Sequence, residues 1–230
     1  MRIALTAGHY IGTSGKRCLK SIDKNETREW VLNNRICEKI ESKLTAYEGY
    51  SLIRTDDRSG QTDVSLKARV DKANSFGADI YISIHHNAGI NGGVGGGVVA
   101  YVAQNAPKIT QEWQKAFYDA IISHTGLKGN RANPCASANL YECRETKMSA
   151  VLLECGFMDS KTDVPVILTD AFADKVASAI VEVIAARGKL KKKASNLHRV
   201  QVGAFQDRQR AERLRDELKS KGYDAFIVNT

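Results

Sequence analysis

The chain has 230 residues, of which 43% are hydrophobic, and a formal net charge of +8 at pH 7. This composition is typical of a folded globular domain, and no apolar run approaches the roughly 18–20 residues that a transmembrane helix needs. A charge, an apolar run and Gly8-His9 all occur at the very start of the chain, a pattern unlike that of a signal peptide. We therefore expect synthesis in the cytoplasm without a signal peptide.

The positive charge is concentrated in the last part of the chain. Residues 187–230 contain twelve Lys or Arg against five Asp or Glu, a difference of +7. Such a segment suggests an anionic partner, which could be nucleic acid, a membrane surface or an anionic cell-wall polymer. The five cysteines are odd in number and form no Cys-x-x-Cys pair, so we expect reduced thiols rather than a disulfide framework.

Apolar periodicity predicts strands that alternate with helices as far as residue 187. The predicted strands cover residues 1–6, 50–54, 78–84, 98–102 and 150–157. The predicted helices cover residues 25–44, 66–76, 109–124 and 168–187. This order predicts an α/β fold, in which helices flank a single twisted and mostly parallel sheet.

The segments between these elements carry weaker signals. Asn25 is expected to be the N-cap of the first helix. Residues 89–97 form a glycine-rich loop that lacks the Lys and Ser/Thr of a phosphate-binding loop, so we expect a flexible connection or a close approach of backbone to substrate. Residues 130–137 are predicted to be a loop, and residues 140–143 a short extended segment.

Two predicted core strands are followed directly by a histidine. His9 comes after the first strand and the break at Gly8, and His85 comes after the strand at 78–84. Ligands of α/β proteins collect at the carboxyl ends of the strands. His86 is expected to point to the opposite face from His85, and His124, at a helix C-terminus, is expected to be structural.

Carboxylates stand near the same positions. Glu154 lies in the apolar run 150–157, where an unpaired charge would be costly. The first helix carries Glu26 or Glu29 in its first turn, and the pattern alone does not choose between them. Two histidines and one carboxylate form a known ligand set of catalytic zinc sites, and a further carboxylate can act as general base. Satisfied core histidines are the alternative interpretation.

The tail is predicted to be a separate segment. Residues 187–196 form a basic linker, and residues 197–230 follow as a strand (198–203), a helix (209–222) and a second strand (225–228). Because a domain below about 40 residues rarely folds alone, we expect this module to dock on the main domain, pair with a copy of itself or continue into a longer unit.

The motifs of residues 1–186 resemble those of zinc-dependent N-acetylmuramoyl-L-alanine amidases of the Amidase_3 type. The matching segments are Gly8-His9, Glu29-Trp-Val-Leu-Asn33, Leu66-Lys-Ala-Arg69, Ile82-Ser-Ile-His85-His-Asn87 and Val151-Leu-Leu-Glu154-Cys-Gly156-Phe157. The resemblance implies Zn²⁺ as cofactor, held by His9, Glu29 and His85, with Glu154 as the catalytic residue. Glu26 lacks the family's spacing to the following Asn. Tyr10 and His86 depart from the family pattern beside the expected metal.

This resemblance implies hydrolysis of the amide between N-acetylmuramic acid and the L-alanine of the peptidoglycan stem peptide. The segment from His198 to Phe226 is similar to the first half of a SPOR domain, a module that binds peptide-free glycan strands. We therefore expect residues 197–230 to bind the cell wall or to form a homodimer.

Together with the expected lack of a signal peptide, these resemblances favour a phage endolysin or a lytic enzyme of sporulation, which acts on the bacterial cell wall. The alternative is a non-catalytic protein that binds peptidoglycan. Nucleic acid is not expected as a partner, because the basic tail lacks the interleaved aromatic residues of a stacking surface. No membrane partner is expected either.

Overall fold

The computed structural model describes residues 1–194 and 200–228. The chain divides into two compact units, Met1–Lys193 and Ala194–Thr230. All five cysteines are free. Within the described residues, no helix is both long enough and apolar enough to cross a membrane.

The first unit contains eight strands and six helices among its described residues. The strands are β1 (Arg2–Ala7), β2 (Tyr47–Glu48), β3 (Ser51–Arg54), β4 (Ile80–Asn87), β5 (Val98–Ala103), β6 (Cys135–Ala138), β7 (Ser149–Phe157) and β8 (Lys191–Lys192). The helices are α1 (Glu29–Leu44), α2 (Leu66–Phe76), α3 (Lys108–Thr125), α4 (Tyr141–Glu145), α5 (Val164–Ile167) and α6 (Asp170–Gly188).

Six strands form the central sheet in the order β3-β1-β4-β7-β5-β6. The pairs from β3 to β7 are parallel, β5 is antiparallel to β7, and β6 is parallel to β5. The carboxyl ends of β1, β4 and β7 therefore meet at one edge of the sheet. The predicted α/β fold with a mostly parallel sheet is confirmed.

Both faces of the sheet are buried, which explains why its central strands are continuous apolar runs. The larger cluster packs α1, α3 and α6 against Ile3, Leu5, Ile82 and Leu153. The smaller cluster lies on the other face, where Ala73 of α2 and Cys143 of α4 pack near Tyr81. The strand at the centre of the sheet thus has a helix layer above and below it.

The first helix begins later than predicted. Arg28, not Asn25, is the N-cap of α1, and its side chain makes no capping hydrogen bond. The reason is the carboxylate of Asp23, which accepts the backbone N–H groups of Asn25 at 3.1 Å and Thr27 at 2.7 Å. These bonds hold residues 23–27 in a turn, so Glu29 becomes the first helical residue.

Two predictions for residues 130–143 are wrong. The segment expected to be a loop contains β6, which pairs in parallel with β5 from Ala100↔Cys135 to Ala103↔Ala138. The segment expected to be extended contains the short helix α4. β6 is a half-exposed edge strand of small residues, and α4 has only five residues, so neither has a marked apolar period.

The predicted linker 187–196 begins too early. Helix α6 continues to Gly188, and Lys191–Lys192 forms an antiparallel pair with Tyr47–Glu48. Because this pairing uses backbone groups, the run of lysines gives no sign of it in the sequence.

The second unit contains the helix α7 (Arg208–Ser220), capped by the Asp207 carboxylate, which accepts the N–H of Gln209. This agrees with the predicted helix at 209–222. Residues 198 and 199 of the first predicted strand lie outside the described residues, and 200–203 and 225–228 form no strand. A strand needs a neighbouring strand to pair with its backbone N–H and C=O groups. The apolar pattern of a segment does not show whether such a neighbour is present.

Candidate active site

The sheet topology brings His85 and Glu154 side by side. They are register partners on the adjacent parallel strands β4 and β7. On the other side of β4, the backbone N–H of Gly8 continues the pairing of β1 by donating to the carbonyl of Ile84 at 2.8 Å. His9 therefore leaves β1 next to His85, at the carboxyl edge where ligands collect in α/β folds.

Glu29 joins the two histidines from the first turn of α1. Its Oε2 is 3.4 Å from Nε2 of His9, and its Oε1 is 3.1 Å from Nδ1 of His85. One donor atom from each residue lies within 4.8 Å of the other two. Glu29 is fully buried, while the two rings are partly exposed and meet edge to face, with centroids 5.0 Å apart.

Gly8 allows the His85 ring to lie against the backbone of the first strand end. A Cβ at this position would be 2.1 Å from Cε1 and 2.4 Å from Nδ1 of His85. No side chain can be accommodated at that distance without moving the ring. Gly8 therefore sets the position of His85 through close approach.

Arg69 fixes the conformation of the His9 turn. His9 has a φ of 65°, in the left-handed region that non-glycine residues rarely adopt. The guanidinium of Arg69, only 2% exposed, donates to the carbonyls of Ala7 at 2.7 Å and His9 at 2.8 Å, and to the Thr6 hydroxyl at 2.9 Å. These bonds stabilise the strained turn, so Arg69 supports the site without being a candidate ligand.

Asn33 stands one helical turn after Glu29 and binds the ring of His86 on the side of β4 that faces α1. Its Nδ2 donates to the carbonyl of Gly8 at 3.1 Å, and its Oδ1 is 2.8 Å from Nδ1 of His86. His86 is buried against α1 and is not among the clustered donors. The structure thus places His86 on the opposite face from His85, as expected.

Burial and the neighbouring charges shift the pKa values of the three clustered residues in opposite directions. Burial works against the charge of Glu29, but the hydrogen bond with His85 and the nearby His9 hold the pKa of its carboxyl at about 2. Burial also works against a charged His85, but Glu142 and Glu29 outweigh it and raise the pKa of that ring to about 10. Burial lowers the pKa of His9 to about 4, so this ring is neutral at pH 7.

Glu154 differs from Glu29 because it has few partners. Its Oε2 is buried and has no hydrogen-bond partner among the described residues. Burial raises the pKa of its carboxyl to about 7, although His85 opposes the shift. A carboxyl of this kind exchanges protons near neutral pH.

The other sequence candidates lie elsewhere. Glu26 sits in the turn before α1, where it pairs with Arg17 at 2.9 Å and Lys20 at 3.8 Å. His124 pairs with Glu182 at 2.9 Å near the end of α3, which agrees with its predicted structural role.

Two charged residues near the cluster escaped the sequence analysis. Lys16 places its Nζ 3.8 Å from Oε2 of Glu29. Glu142 places Oε2 3.9 Å from Nε2 of His85. Lys16 belongs to an irregular loop, and Glu142 belongs to a helix too short to show periodicity, so no signal in the sequence pointed to either.

The donor set fits a divalent metal ion. Two imidazole nitrogens and one carboxylate oxygen are ligands that Zn²⁺ uses in catalytic sites with an open position. Oε2 of Glu29 is buried without a hydrogen bond in the described part of the chain, and a cation would satisfy it. A ligating histidine must be neutral, so metal binding at His85 would displace one of the two ring protons of its charged form.

An open cleft lies at the ends of β4 and β7. It has a volume of about 520 Å³ and is bordered by Asn87, Tyr101, Arg131, Asn133 and Phe157, among others. Val99, which also borders the cleft, is the register partner of Glu154 on β5. The cleft thus adjoins the end of β4, two residues after His85, and lies one strand away from Glu154.

The glycine-rich loop 89–97 is held by two carboxylates beyond the end of β7. Oδ2 of Asp159 accepts the backbone N–H groups of residues 89, 90 and 91 at 2.7–2.9 Å. Oδ2 of Asp163 accepts the N–H of Gly97 at 2.7 Å. A Cβ at Gly97 would be 2.5 Å from Cα of Gly129, so this glycine permits a close approach of two backbones.

Fold and site together define the class: an α/β protein in which a His-Glu-His donor set that could hold a metal ion lies beside a buried carboxyl at the carboxyl ends of the central strands. The chain belongs to the N-acetylmuramoyl-L-alanine amidase family, whose model matches residues 3–186. A SPOR domain model matches residues 169–229, a stretch that starts at Thr169, the N-cap of α6.

Curated relatives and solved structures agree with this family. The chain is 30% identical over 206 residues to the sporulation-specific N-acetylmuramoyl-L-alanine amidase of Bacillus subtilis, covering 89% of this chain and 77% of that protein. It is 33% identical over 190 residues to the endolysin of Bacillus phage SPP1, covering 83% and 67%. The crystal structure of N-acetylmuramoyl-L-alanine amidase from Clostridium difficile 630 matches with a TM-score of 0.73 at 25% identity, covering 82% and 96%.

Proposed function

We propose that this chain is a zinc-dependent N-acetylmuramoyl-L-alanine amidase, which hydrolyses the amide between N-acetylmuramic acid and the L-alanine of the stem peptide. The observation that carries the proposal is the unpaired buried Oε2 of Glu154, on the register partner of His85. Such a carboxyl next to a metal donor set suits a general base for hydrolysis. Membership of the family supports the choice of bond.

The metal would be held by His9, Glu29 and His85, whose donor atoms lie within 4.8 Å of one another. When bound, Zn²⁺ polarises the carbonyl of the scissile amide and lowers the pKa of the attacking water to about 7. Glu29 contributes the negative charge of the set, because its carboxyl stays ionised at any pH at which the protein would work.

Glu154 transfers the proton of the attacking water to the leaving group. Its Oε2 takes a proton from the attacking water and donates it to the nitrogen of the leaving L-alanine amine. A pKa of about 7 suits both steps, since the group must be a base in one step and an acid in the next.

We propose that residues 197–230 serve as a cell-wall-binding module that also pairs with a second copy of the chain. The SPOR match supports wall binding. Apolar side chains are exposed on the segments flanking α7, including Val200, Val202, Phe226 and Val228. A second copy offers an equivalent set, so pairing would cover both. We further propose a phage endolysin or a sporulation enzyme as the setting, since relatives of both kinds match.

The test is to identify the bond that the full chain cuts. Purified peptidoglycan is incubated with zinc-loaded protein, and new amino termini and new reducing sugars are measured separately. We expect amino-terminal L-alanine without reducing sugars, and loss of the reaction when a chelator removes the metal. If the loaded protein binds peptidoglycan but releases no amino-terminal L-alanine, the chain is a non-catalytic wall-binding protein and the proposal is wrong.

A further inference from the structure

Glu142 is a buried carboxylate that the mechanism above leaves unused. It lies on α4 and is 4% exposed. Its Oε1 accepts a hydrogen bond from the Tyr81 hydroxyl, and its Oε2 accepts one from the Ser83 hydroxyl at 3.3 Å. A buried charge is costly unless it is paired. The two hydroxyl groups supply donors but no opposite charge.

His85 supplies the missing partner. Its Nε2 lies 3.9 Å from Oε2 of Glu142. Within residues 1–194 and 200–228, Glu142 forms no other ion pair. The same Nε2 has no hydrogen-bond partner in that part of the chain. The other ring nitrogen, Nδ1, lies 3.1 Å from Oε1 of Glu29. The ring therefore stands between two carboxylates, with Glu29 on the side of the metal donors and Glu142 behind.

The strand geometry explains this alignment. Tyr81, Ser83 and His85 are two residues apart along β4, so their side chains share one face of the sheet. Glu142 packs over that face and contacts all three. The hydrogen bonds from Tyr81 and Ser83 hold the carboxylate of Glu142 in place. In this position its Oε2 faces the ring of His85.

We propose that Glu142 is a positioning residue, which accepts a hydrogen bond from the Nε2–H of His85 and so presents Nδ1 of that ring to the metal ion. This inference rests on the zinc site of the proposed function. Histidine ligands almost always donate their second ring N–H to a carboxylate or carbonyl, which fixes the tautomer and the ring orientation. Binding of the metal at Nδ1 leaves the proton on Nε2, and Oε2 of Glu142 lies 3.9 Å from that atom, so a small shift of either side chain brings the two to hydrogen-bond distance.

The first experiment measures Zn²⁺ affinity by competition with a chromophoric chelator. Glu142→Leu removes the acceptor, and we expect about 10- to 100-fold weaker binding than in the wild type. Glu142→Gln keeps an acceptor oxygen without the charge, and we expect an intermediate affinity. The matched control is Asp56→Asn, which alters another buried carboxylate, paired with Arg54 at 2.6 Å on β3. We expect it to lower the melting temperature without changing Zn²⁺ affinity.

The second experiment locates the proton of His85 by ¹H–¹⁵N NMR of the zinc-loaded full chain. The His85 signals are assigned by their loss in His85→Asn. In the wild type we expect a proton on Nε2, shifted downfield by the hydrogen bond to a carboxylate. In Glu142→Gln we expect the same tautomer with an upfield shift, a change that a merely structural role of Glu142 would not produce.

Two results would overturn the inference: Zn²⁺ affinities of both Glu142 variants within twofold of the wild type, or a zinc-bound His85 that carries its proton on Nδ1. Failure of the proposed function is separable from both. A protein that binds Zn²⁺ with the expected His85 tautomer but releases no amino-terminal L-alanine would retain the role of Glu142 and lose the assigned reaction.

Discussion

Glu154 and His85 are register partners on adjacent parallel strands, yet their surroundings differ. His85 stands between the carboxylates of Glu29 and Glu142, whereas Oε2 of Glu154 has no hydrogen-bond partner in the described residues. The same sheet edge therefore holds one side chain that is fixed by charge and one that is free to take up a proton. This difference separates the metal donors from the group that we expect to perform proton transfer.

Glu154→Gln should separate proton transfer from metal binding. The amide cannot accept the proton of the attacking water, so we expect a loss of about 10²- to 10⁴-fold in the rate of release of amino-terminal L-alanine. Zn²⁺ content should stay at the wild-type level, since Glu154 is not in the donor set. Glu182→Gln, which alters a carboxylate of α6 that pairs with His124, is the control and should keep full activity. A fully active Glu154→Gln protein would exclude this role.

Gly8→Ala should disturb the metal site through His85 alone. The new methyl group would be 2.1 Å from Cε1 of His85, so the ring must move away from its position beside Glu29. We expect the variant to bind Zn²⁺ at least about tenfold more weakly than the wild type, because the orientation of a histidine ligand controls its affinity for the metal. Gly126→Ala is the matched control: its φ is 72° and its Cβ would meet nothing within 4 Å. It should cost stability only, and equal Zn²⁺ affinities in the two variants would contradict the argument.

The cysteines should differ sharply in reactivity. Cys135 is exposed on β6, and the other four are buried. Burial raises the pKa of Cys18 and of Cys143 to about 12, and it also raises the pKa values of Cys37 and Cys155. Since the thiolate is the reactive form, a disulfide reagent at pH 8 should modify one thiol quickly in the folded protein and five after unfolding.

The assignment of that fast thiol can be checked directly. Cys135→Ser should abolish the fast reaction and leave the number of slow thiols unchanged. Two or more fast thiols in the native wild type would show that the buried sites open more readily than their packing indicates.

Self-association through residues 197–230 stays a prediction, and light scattering of the full chain tests it. We expect the mass of two chains at micromolar concentration. Phe226→Asp places a charge on one of the exposed apolar positions and should shift the mass to that of one chain. Gln206→Asp, at an exposed polar position, is the control and should leave the dimer intact. A wild-type mass of one chain at every concentration would exclude pairing.

The central strands and the cluster of candidate residues could be predicted from sequence because both depend on strand ends. β1, β4 and β7 are buried on both faces and therefore appear as continuous apolar runs. Parallel strands end at the same edge, so His9, His85 and Glu154 could be expected to converge. Only the family spacing distinguishes Glu29 from Glu26 in the sequence, and the structure brings Glu29 to the two histidines.

The remaining features depend on contacts between distant residues. The start of α1 is set by the carboxylate of Asp23, which competes for the backbone of residues 25 and 27. β6 exists because β5 offers it backbone partners, not because Cys-Ala-Ser-Ala favours a strand. Glu142 gains its significance only where α4 packs over β4. Such relationships cannot be seen in a local pattern of residue types.

The glycine-rich loop 89–97 has a consequence for the thermodynamics of substrate binding. Glycine is usually associated with mobility, but here Asp159 and Asp163 bind the loop backbone at both ends. A preorganised wall costs less conformational entropy when it closes on a ligand than one that must first become ordered. The loop borders the cleft at Gly89, so this part of the cleft wall has its shape before any ligand arrives, and slow amide hydrogen exchange at residues 89–91 would reveal it.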